Sequence, residues 1–177
     1  RAGPMKTIYL LRHAKSDWSE DGQADVNRSL NSRGEAAAKV MGRYMAHAAL
    51  LPEFIFCSPA RRAMQTWEIA QKELPSAPPT HIEPDIYNFG DGRMLLQCLR
   101  AKAGPARSVL IVGHNPSIEQ LAKKLVGKGD RKLRAVMDEK YPTATLAVIT
   151  FSIDDWAALT EGCGTLLRFV RPRDLIK

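Results

Sequence analysis

The apolar run Ile8-Tyr9-Leu10-Leu11, followed directly by Arg12 and His13, constrains the fold of this chain more than any other stretch. Four consecutive apolar or aromatic residues are typical of a strand that is buried in a sheet. In open α/β sheets, ligands bind where such strands end, so the polar residues that follow predict a site there. Arg12 and Lys15 favour an anionic ligand such as phosphate, and His13 can act as a nucleophile or base near neutral pH. The alternative is an Arg-His pair on a solvated loop.

A second strand ends in a similar way. Phe54–Cys57 is a short apolar run, and Ser58 and Pro59 after it suit the cap and the first position of a helix. Arg61 then falls in the first helical turn, beside free backbone N–H groups and the positive end of the helix dipole, which favours an anion. Arg62 is adjacent on the helix and is predicted to point elsewhere, to the surface or a supporting position.

A third strand precedes the second histidine. Ser108–Val112 is an aliphatic run typical of a central parallel strand, and His114 follows it after one glycine. Asn115 suits the cap and Pro116 the start of the next helix. His114 is therefore predicted at the carboxyl end of a strand, although a single histidine in such a place is more often structural.

The rest of the chain continues the alternation of strands and helices. Helices are predicted from Ser32, from Pro59, around residues 94–100 and from Pro116. Leu146–Phe151 and Thr165–Val170 are two further strands. Only about a dozen residues separate these last two strands, too few for a helical crossover, so we expect them to pair antiparallel at a sheet edge. The predicted fold is α/β, with three layers: a mostly parallel central sheet, helices on both of its faces, and an antiparallel edge strand.

Length and composition indicate one globular domain over residues 5–177 of the 177-residue chain. Residues 1–4 precede Met5 and are interpreted as an expression scar. Because no signal peptide or membrane-spanning run is recognisable, we expect a cytoplasmic protein without a membrane partner. The three cysteines, Cys57, Cys98 and Cys163, are far apart and form no CxxC pair, which argues against a disulfide framework or a zinc site.

The formal charge of +7 raises the question of nucleic acid. The densest basic cluster lies between Lys123 and Arg134, and no aromatic residues are interleaved with it, as single-strand binding would require. We interpret it as a solvated face beside an anionic substrate site, and no nucleic-acid partner is expected.

If the three strands lie in one parallel sheet, Arg12, His13, Arg61 and His114 converge at its carboxyl edge. Two guanidinium groups suit the charged oxygens of a phosphoryl group. One imidazole could attack phosphorus while the other donates to an equatorial oxygen.

This constellation resembles the histidine phosphatase superfamily, also called the phosphoglycerate mutase-like fold. The motifs that carry the resemblance are Arg12-His13, Ser58-Pro59-Ala60-Arg61 followed by Gln65-Thr66, and Gly113-His114-Asn115. Their order and spacing are far more specific than any one of them alone. The resemblance implies a phosphohistidine intermediate on His13 and a phosphate pocket formed by Arg12, Arg61 and His114. Lys15, Ser16, Ser58 and Asn115 are assigned to substrate binding.

Within the superfamily, the short chain resembles the compact branch of SixA-like phosphohistidine phosphatases, including Arg-His-Ala-Lys-Ser-Asp-Trp at 12–18. Larger members carry lid insertions and commonly a glutamate proton donor after the second motif. Here Asn88 is expected in that place, and Glu83 and Asp85 are the candidates for the donor. A missing acid favours substrates with good leaving groups, such as phosphohistidine or phenyl phosphates, over alkyl phosphates.

The predicted function is therefore a metal-independent phosphatase without a cofactor, acting on a phosphorylated protein or a small phosphorylated molecule. The alternatives are a small-metabolite phosphatase of the same superfamily and a non-catalytic phosphoprotein-binding module. A cysteine-dependent phosphatase would need an arginine six positions after Cys57, where Ala63 stands. A nucleotide-binding loop is also absent, because Gly127-Lys128-Gly129 lacks the following Ser or Thr.

Overall fold

The computed structural model describes residues 5–17 and 24–176, so the predicted scar at 1–4 and Trp18 of the first motif lie outside the described residues. Apolar runs form most of the strands and amphipathic segments form the helices, and strands and α-helices alternate as far as β6. The strands are β1 (Lys6–Arg12), β2 (Phe54–Cys57), β3 (Thr80–Ile82), β4 (Ser108–Gly113), β5 (Val126–Gly129), β6 (Leu146–Phe151) and β7 (Gly164–Val170). The helices are α1 (Ser32–His47), α2 (Arg61–Gln71), α3 (Arg93–Lys102), α4 (Ser117–Leu125), α5 (Arg131–Glu139) and α6 (Pro172–Leu175).

The seven strands form one sheet in the order β3-β2-β4-β1-β6-β7-β5. Strands β2, β3, β4 and β1 run parallel, and β6 is antiparallel to both of its neighbours, β1 and β7. The mostly parallel sheet and the antiparallel pairing of the last two strands are confirmed. The antiparallel strand is not at an edge, however, because β5, which the sequence does not predict, pairs parallel with β7 and lies beyond it.

Alternating side chains of the central strands fill two separate cores. Ile8 and Leu10 of β1 pack with α3 and α4 on one face, whereas Tyr9 and Leu11 pack with α1 and α2 on the other. This period of two is the geometry of a strand covered on both faces. The predicted three-layer arrangement is therefore confirmed, and it places the ends of β1, β2 and β4 side by side.

Helix α1 supports the loop that follows β1. Its cap is Asn31, whose side chain accepts from the Gly34 amide at 2.8 Å, one residue before the predicted start. A Cβ atom at Gly34 would lie 2.1 Å from the carbonyl oxygen of Lys15, so only glycine permits this close approach. Helix α1 consequently packs directly on the backbone that carries the first motif.

The three cysteines are free thiols, and Cys57 belongs to the apolar core. Burial raises the pKa of Cys57 to about 12, so it is held as a thiol. No helix in the described part of the chain is long and apolar enough to cross a bilayer.

Candidate active site

A cavity of about 570 Å³ opens where strands β1 and β4 end, at the edge that the sequence predicts. Four cationic side chains and two imidazoles line it, with a single carboxylate and one apolar ring among the described residues. The lining residues are Arg12, His13, Lys15, Ser16, Asp25, Arg28, Arg62, Phe89, His114, Asn115 and Thr143. The excess of positive charge suits an anion with several oxygens, such as a phosphoryl group.

His13 is fixed at the end of β1 by its neighbours. Its amide donates to the Gly113 carbonyl at 2.9 Å, and its Nδ1 lies 2.7 Å from the carbonyl oxygen of Ala14. Because a carbonyl oxygen can only accept, Nδ1 carries the proton, and Nε2 keeps its lone pair. Burial, and secondarily the positive charges of Arg62 and Arg12, lowers the pKa of His13 to about 4. The ring is therefore neutral near pH 7, which is the form that a nucleophile requires.

His114 packs beside His13, with ring centroids 5.2 Å apart and ring planes tilted by 53°. Its Nε2 lies 2.8 Å from the Ser58 hydroxyl, and its Nδ1 lies 3.4 Å from Arg62 Nη2. Burial, followed by the nearby charges of His13 and Arg62, lowers the pKa of His114 to about 3. Since the Ser58 hydroxyl can accept from or donate to Nε2, neutral His114 can present Nδ1 as an acceptor to Arg62 or as a donor to an anion.

Ser58 does not line the cavity, although the sequence assigns it to substrate binding. It is completely buried, contacts His114, and accepts from the Ala60 amide at 3.1 Å. Its position is behind the second histidine, where it holds that ring.

The structure places Arg62 at the cavity, and not Arg61, which corrects the expected position of the arginine of helix α2. Arg61 is exposed and does not line the cavity, whereas Arg62 is 1% exposed and does. The helix begins at Arg61, later than the predicted start at Pro59. Arg62 lies four residues before Thr66, which is buried on the same face of the helix, so the helical period could have identified it.

Arg12 and Asn115 share one backbone acceptor. Arg12 Nη1 and Asn115 Nδ2 lie 3.0 and 2.9 Å from the carbonyl oxygen of Tyr141. The Tyr141 hydroxyl in turn donates to the carbonyl of Leu10 in β1. The loop before β6 thereby joins the ends of β1 and β4, and Arg12 and Asn115 lie at the cavity as predicted.

Lys15 and Ser16 also line the cavity, as expected from the first motif. The Ser16 hydroxyl accepts from Arg28 Nη1 at 2.9 Å. Ser16 and Leu30 form an isolated antiparallel bridge, which brings the segment with Arg28 beside the first motif.

Asp25 also lines the cavity, although the sequence does not predict it there. Its carboxylate accepts from Arg28 Nε at 3.0 Å, from Arg62 Nη2 at 3.0 Å and from the Tyr87 hydroxyl at 2.6 Å. Burial opposes ionisation of this carboxyl, but the hydrogen bonds from Tyr87 and Arg62 outweigh it and lower its pKa to about 2. Asp25 is thus an anion that holds Arg28 and Arg62 at the cavity. The one feature of the sequence that could have indicated this ion pair is the spacing Asp25-x-x-Arg28.

Neither candidate proton donor lies at the cavity, which corrects the expectation for Glu83 and Asp85. Glu83 is buried and accepts from Lys102 and the Asp85 amide, and the Lys102 hydrogen bond lowers its pKa. Lys102 also lies 3.7 Å from the Asp85 carboxylate. An ionised carboxylate paired with lysine outside the cavity is a poor proton donor to a substrate there.

Asn88, the residue expected in place of the missing donor, does not line the cavity either. Its Oδ1 accepts from the Gly90 amide at 2.9 Å, which closes a turn. The side chain that this turn presents to the cavity is that of Phe89.

The described residues contain no group of three or more His, Cys, Asp or Glu side chains that could hold a metal ion.

The sequence and fold are similar to those of several known proteins. Residues 8–94 match the profile of the Histidine phosphatase superfamily (branch 1). A Mycobacterium leprae (strain TN) protein, described only as uncharacterized, is 30% identical over 167 residues that cover 92% of this chain and 100% of that protein. A crystal structure assigned as phosphohistidine phosphatase SixA from Agrobacterium tumefaciens superposes with a TM-score of 0.79 at 29% identity, covering 94% of this chain and 98% of that chain.

A more distant similarity links part of the chain to a mutase. The 2,3-bisphosphoglycerate-dependent phosphoglycerate mutase of Thermobifida fusca (strain YX) is 37% identical over 71 residues, which are 39% of this chain and 29% of the mutase. Most of the mutase therefore has no counterpart in the matched region.

Proposed function

Because this chain belongs to the histidine phosphatase superfamily, we propose that it hydrolyses phosphate monoesters or phosphoramidates through a phosphohistidine intermediate on His13. The observation that carries the proposal is the hydrogen bond from His13 Nδ1 to the Ala14 carbonyl, 2.7 Å long. It orients a neutral imidazole whose Nε2 lone pair is free, inside a cavity of four cationic side chains.

In the first step, the Nε2 lone pair of His13 forms a bond to phosphorus, and the bond from phosphorus to the leaving oxygen or nitrogen breaks with its electron pair. Arg12, Arg62 and Arg28 neutralise the charge on the phosphoryl oxygens, and His114 donates from Nδ1. In the second step, water attacks phosphorus, loses a proton to solvent, and the bond to His13 breaks with its electron pair returning to Nε2. Phosphate is released and the free enzyme is regenerated.

Our inference about the substrate class rests on the carboxylate that the described residues place at the cavity. Among the described residues, the one carboxylate that lines it is Asp25, whose hydrogen bonds from Tyr87 and Arg62 keep its pKa near 2 despite burial, so it is ionised and cannot protonate a leaving group near pH 7. A phosphohistidine ring that carries a proton on its second nitrogen departs as neutral imidazole and needs no enzyme acid. We therefore infer that the enzyme is a SixA-like protein phosphohistidine phosphatase, which the similarity to the Agrobacterium protein supports. Independence from metal ions and a cytoplasmic location are parts of the same proposal.

The test is to trap the intermediate. The enzyme is quenched in alkali during turnover of a ³²P-labelled phosphohistidine peptide, and the label is located by peptide mapping. We expect an acid-labile, base-stable label on His13, absent from His13→Gln and present in His47→Gln, a control at an exposed histidine of α1. A label on Cys57 or Ser58 would overturn the mechanism.

A screen of substrates separates the remaining alternatives. Turnover that is fastest with a sugar or glycerol phosphate would favour a small-metabolite phosphatase. Tight binding of a phosphoprotein without any turnover would favour a non-catalytic binding module.

A further inference from the structure

Phe89 is the only apolar residue in the described lining of the cavity, and it is 47% exposed. Because about half of this large aromatic side chain is exposed, the fold gains only part of the stabilisation that its full burial would give. Its exposed surface remains available to cover part of a ligand. The cavity therefore combines a region suited to an anion with one apolar wall.

Neighbouring groups hold the phenyl ring in place. Its centroid lies 5.0 Å from that of His114 and 5.2 Å from that of Tyr87, in tilted and edge-on arrangements. The turn that carries it is fixed at Asn88, whose carbonyl accepts from the Ser117 hydroxyl at 2.6 Å and whose side chain accepts from Gly90. A pre-oriented ring needs little ordering when a ligand binds.

His114 packs against both His13 and Phe89, so the phenyl ring lies one ring beyond His114 from the nucleophile. His13 and Phe89 line the same cavity, so a phosphoryl group bound at His13 can direct its substituent towards Phe89. An aromatic substituent can stack on a phenyl face, with offset or edge-on geometry, better than a saturated one of equal size.

We propose that Phe89 is a specificity-determining residue that packs against a planar aromatic leaving group attached to the phosphoryl group. The inference rests on the proposed function and narrows its substrate class. The substrates that the proposal covers share a flat ring bonded to phosphorus through oxygen or nitrogen, as in phosphotyrosine or phosphohistidine. When the bond to phosphorus breaks, the electron pair departs on that ring, which stabilises it without a proton from the enzyme.

Binding without turnover provides the first test. Phenylphosphonate and cyclohexylphosphonate have the same number of ring atoms and a phosphorus–carbon bond that the enzyme cannot hydrolyse by the proposed mechanism. Calorimetry should show that the wild-type chain prefers the phenyl compound, and that Phe89→Ala reduces this preference about threefold to tenfold. Phe89→Leu, which keeps an apolar side chain without a ring, should also reduce it, whereas Leu167→Ala, an exposed control on β7, should not.

Turnover provides the second test. Phenyl phosphate and hexafluoroisopropyl phosphate have leaving groups of similar acidity but different shape, so the ratio of their kcat/KM values reports on the ring alone. We expect Phe89→Ala to lower this ratio by a similar factor while the melting temperature changes little. Equal losses with both compounds, or an unchanged preference among the phosphonates, would overturn the role of Phe89. A preserved phosphonate preference without any turnover would instead refute the proposed function.

Peptides distinguish the two sources of the ring. Matched phosphohistidine, phosphotyrosine and phosphoserine peptides should be compared in wild type and Phe89→Ala. The loss of kcat/KM should be confined to the phosphohistidine and phosphotyrosine peptides. The larger of the two losses identifies the ring that packs better against Phe89. A loss that is equal for phosphoserine would contradict the proposal.

Discussion

Arg62 Nη2 lies 3.0 Å from Asp25 Oδ2, and this contact joins the first turn of helix α2 to the segment before helix α1. Arg62 Nη1 also donates to the backbone carbonyl of Asp25 at 2.8 Å, so the guanidinium is held by two acceptors of one residue. The arginine is 1% exposed and fixed in orientation before any ligand arrives. Such preorganised donors are the groups on which transition-state charge stabilisation depends.

The first prediction is that Arg62→Ala damages catalysis far more than Arg61→Ala. Removing a preorganised donor to transition-state charge typically lowers kcat by about 10²–10³. Arg61 is exposed and absent from the cavity lining, so its substitution should change kcat less than about twofold. Steady-state rates with an aryl phosphate measure both effects. Equal losses would contradict the assignment to Arg62, and a larger loss in Arg61→Ala would return the role to Arg61.

The second prediction concerns Asp25, which positions Arg62 and Arg28 without touching the reacting atoms. Asp25→Asn keeps the size of the side chain but weakens two charge-assisted hydrogen bonds, so we expect kcat to fall about tenfold. KM for a phosphate ester should not rise, because a negative charge at an anion site is also removed. Asp154→Asn, at an exposed residue, is the matched control. A rise in KM with unchanged kcat would contradict a positioning role.

These two residues show where prediction from sequence succeeds and where it stops. Strand ends rich in polar residues correctly locate the cavity, because apolar runs of β1 and β4 are local signals of buried parallel strands. The prediction chose Arg61 because it expected the helix to start at Pro59, whereas the period counted from Thr66 favours Arg62, since neighbouring side chains lie about 100° apart around a helix. Asp25 lies in a polar loop without periodicity, and only the folded chain brings it to Arg62.

The sequence does not predict strand β5, for a related reason. Its residues Val126–Gly129 include two glycines, which disfavour strands locally, and its pairing partner β7 lies far along the chain. A Cβ at Gly127 would lie 2.0 Å from the carbonyl oxygen of Gly162, so the close approach itself requires glycine. This strand forms because of its long-range pairing with β7, and no local sequence pattern indicates it.

The third prediction is that the buried histidines destabilise the protein in acid. His13 and His114 have pKa values of about 4 and 3, lowered chiefly by burial from the ordinary 6.5, so the unfolded chain binds their protons first as pH falls. Stability should therefore be complete above pH 6.5 and decline towards pH 4, by about 1–2 kcal/mol for each histidine between pH 7 and 5. Urea unfolding at several pH values measures this decline.

A comparison of variants isolates the contribution of His114. His114→Gln cannot be protonated at that position, so its free energy of unfolding should depend less on pH than that of the wild type. His47→Gln, at an exposed helix residue, serves as the control. A decline that is equally steep in all three proteins would show that other groups are responsible. Independent ¹⁵N titration of the His13 ring should find it neutral at pH 6.

The fourth prediction is that activity survives exhaustive chelation. Positive charge at the cavity comes from Arg12, Lys15, Arg28 and Arg62, which can do the electrostatic work that a divalent ion does in other phosphoryl-transfer enzymes. Turnover of an aryl phosphate should be unchanged after treatment with EDTA and passage over a chelating resin. Loss of activity that only an added divalent ion restores would disprove it.

The last prediction concerns the dependence of the rate on the leaving group. Glu83 is tied to Lys102 outside the cavity, and Asp25 is ionised by its hydrogen bonds, so neither can deliver a proton when the bond to phosphorus breaks. Charge then develops fully on the departing atom, and the rate should fall steeply as the pKa of the leaving group rises. We expect log kcat/KM to decrease across a series of substituted phenyl phosphates, and glycerol and sugar phosphates to be poor substrates.

The same series can reveal a proton donor if one exists. A general acid flattens the dependence, because protonation cancels most of the charge that the leaving oxygen would carry. Arg62→Ala should lower every point of the series without changing its slope, since Arg62 acts on the phosphoryl oxygens and not on the leaving group. A flat series with a sugar phosphate as the best substrate would require an acid that rearranges into the cavity, and Glu83→Gln and Asp85→Asn would then identify it by restoring the steep slope.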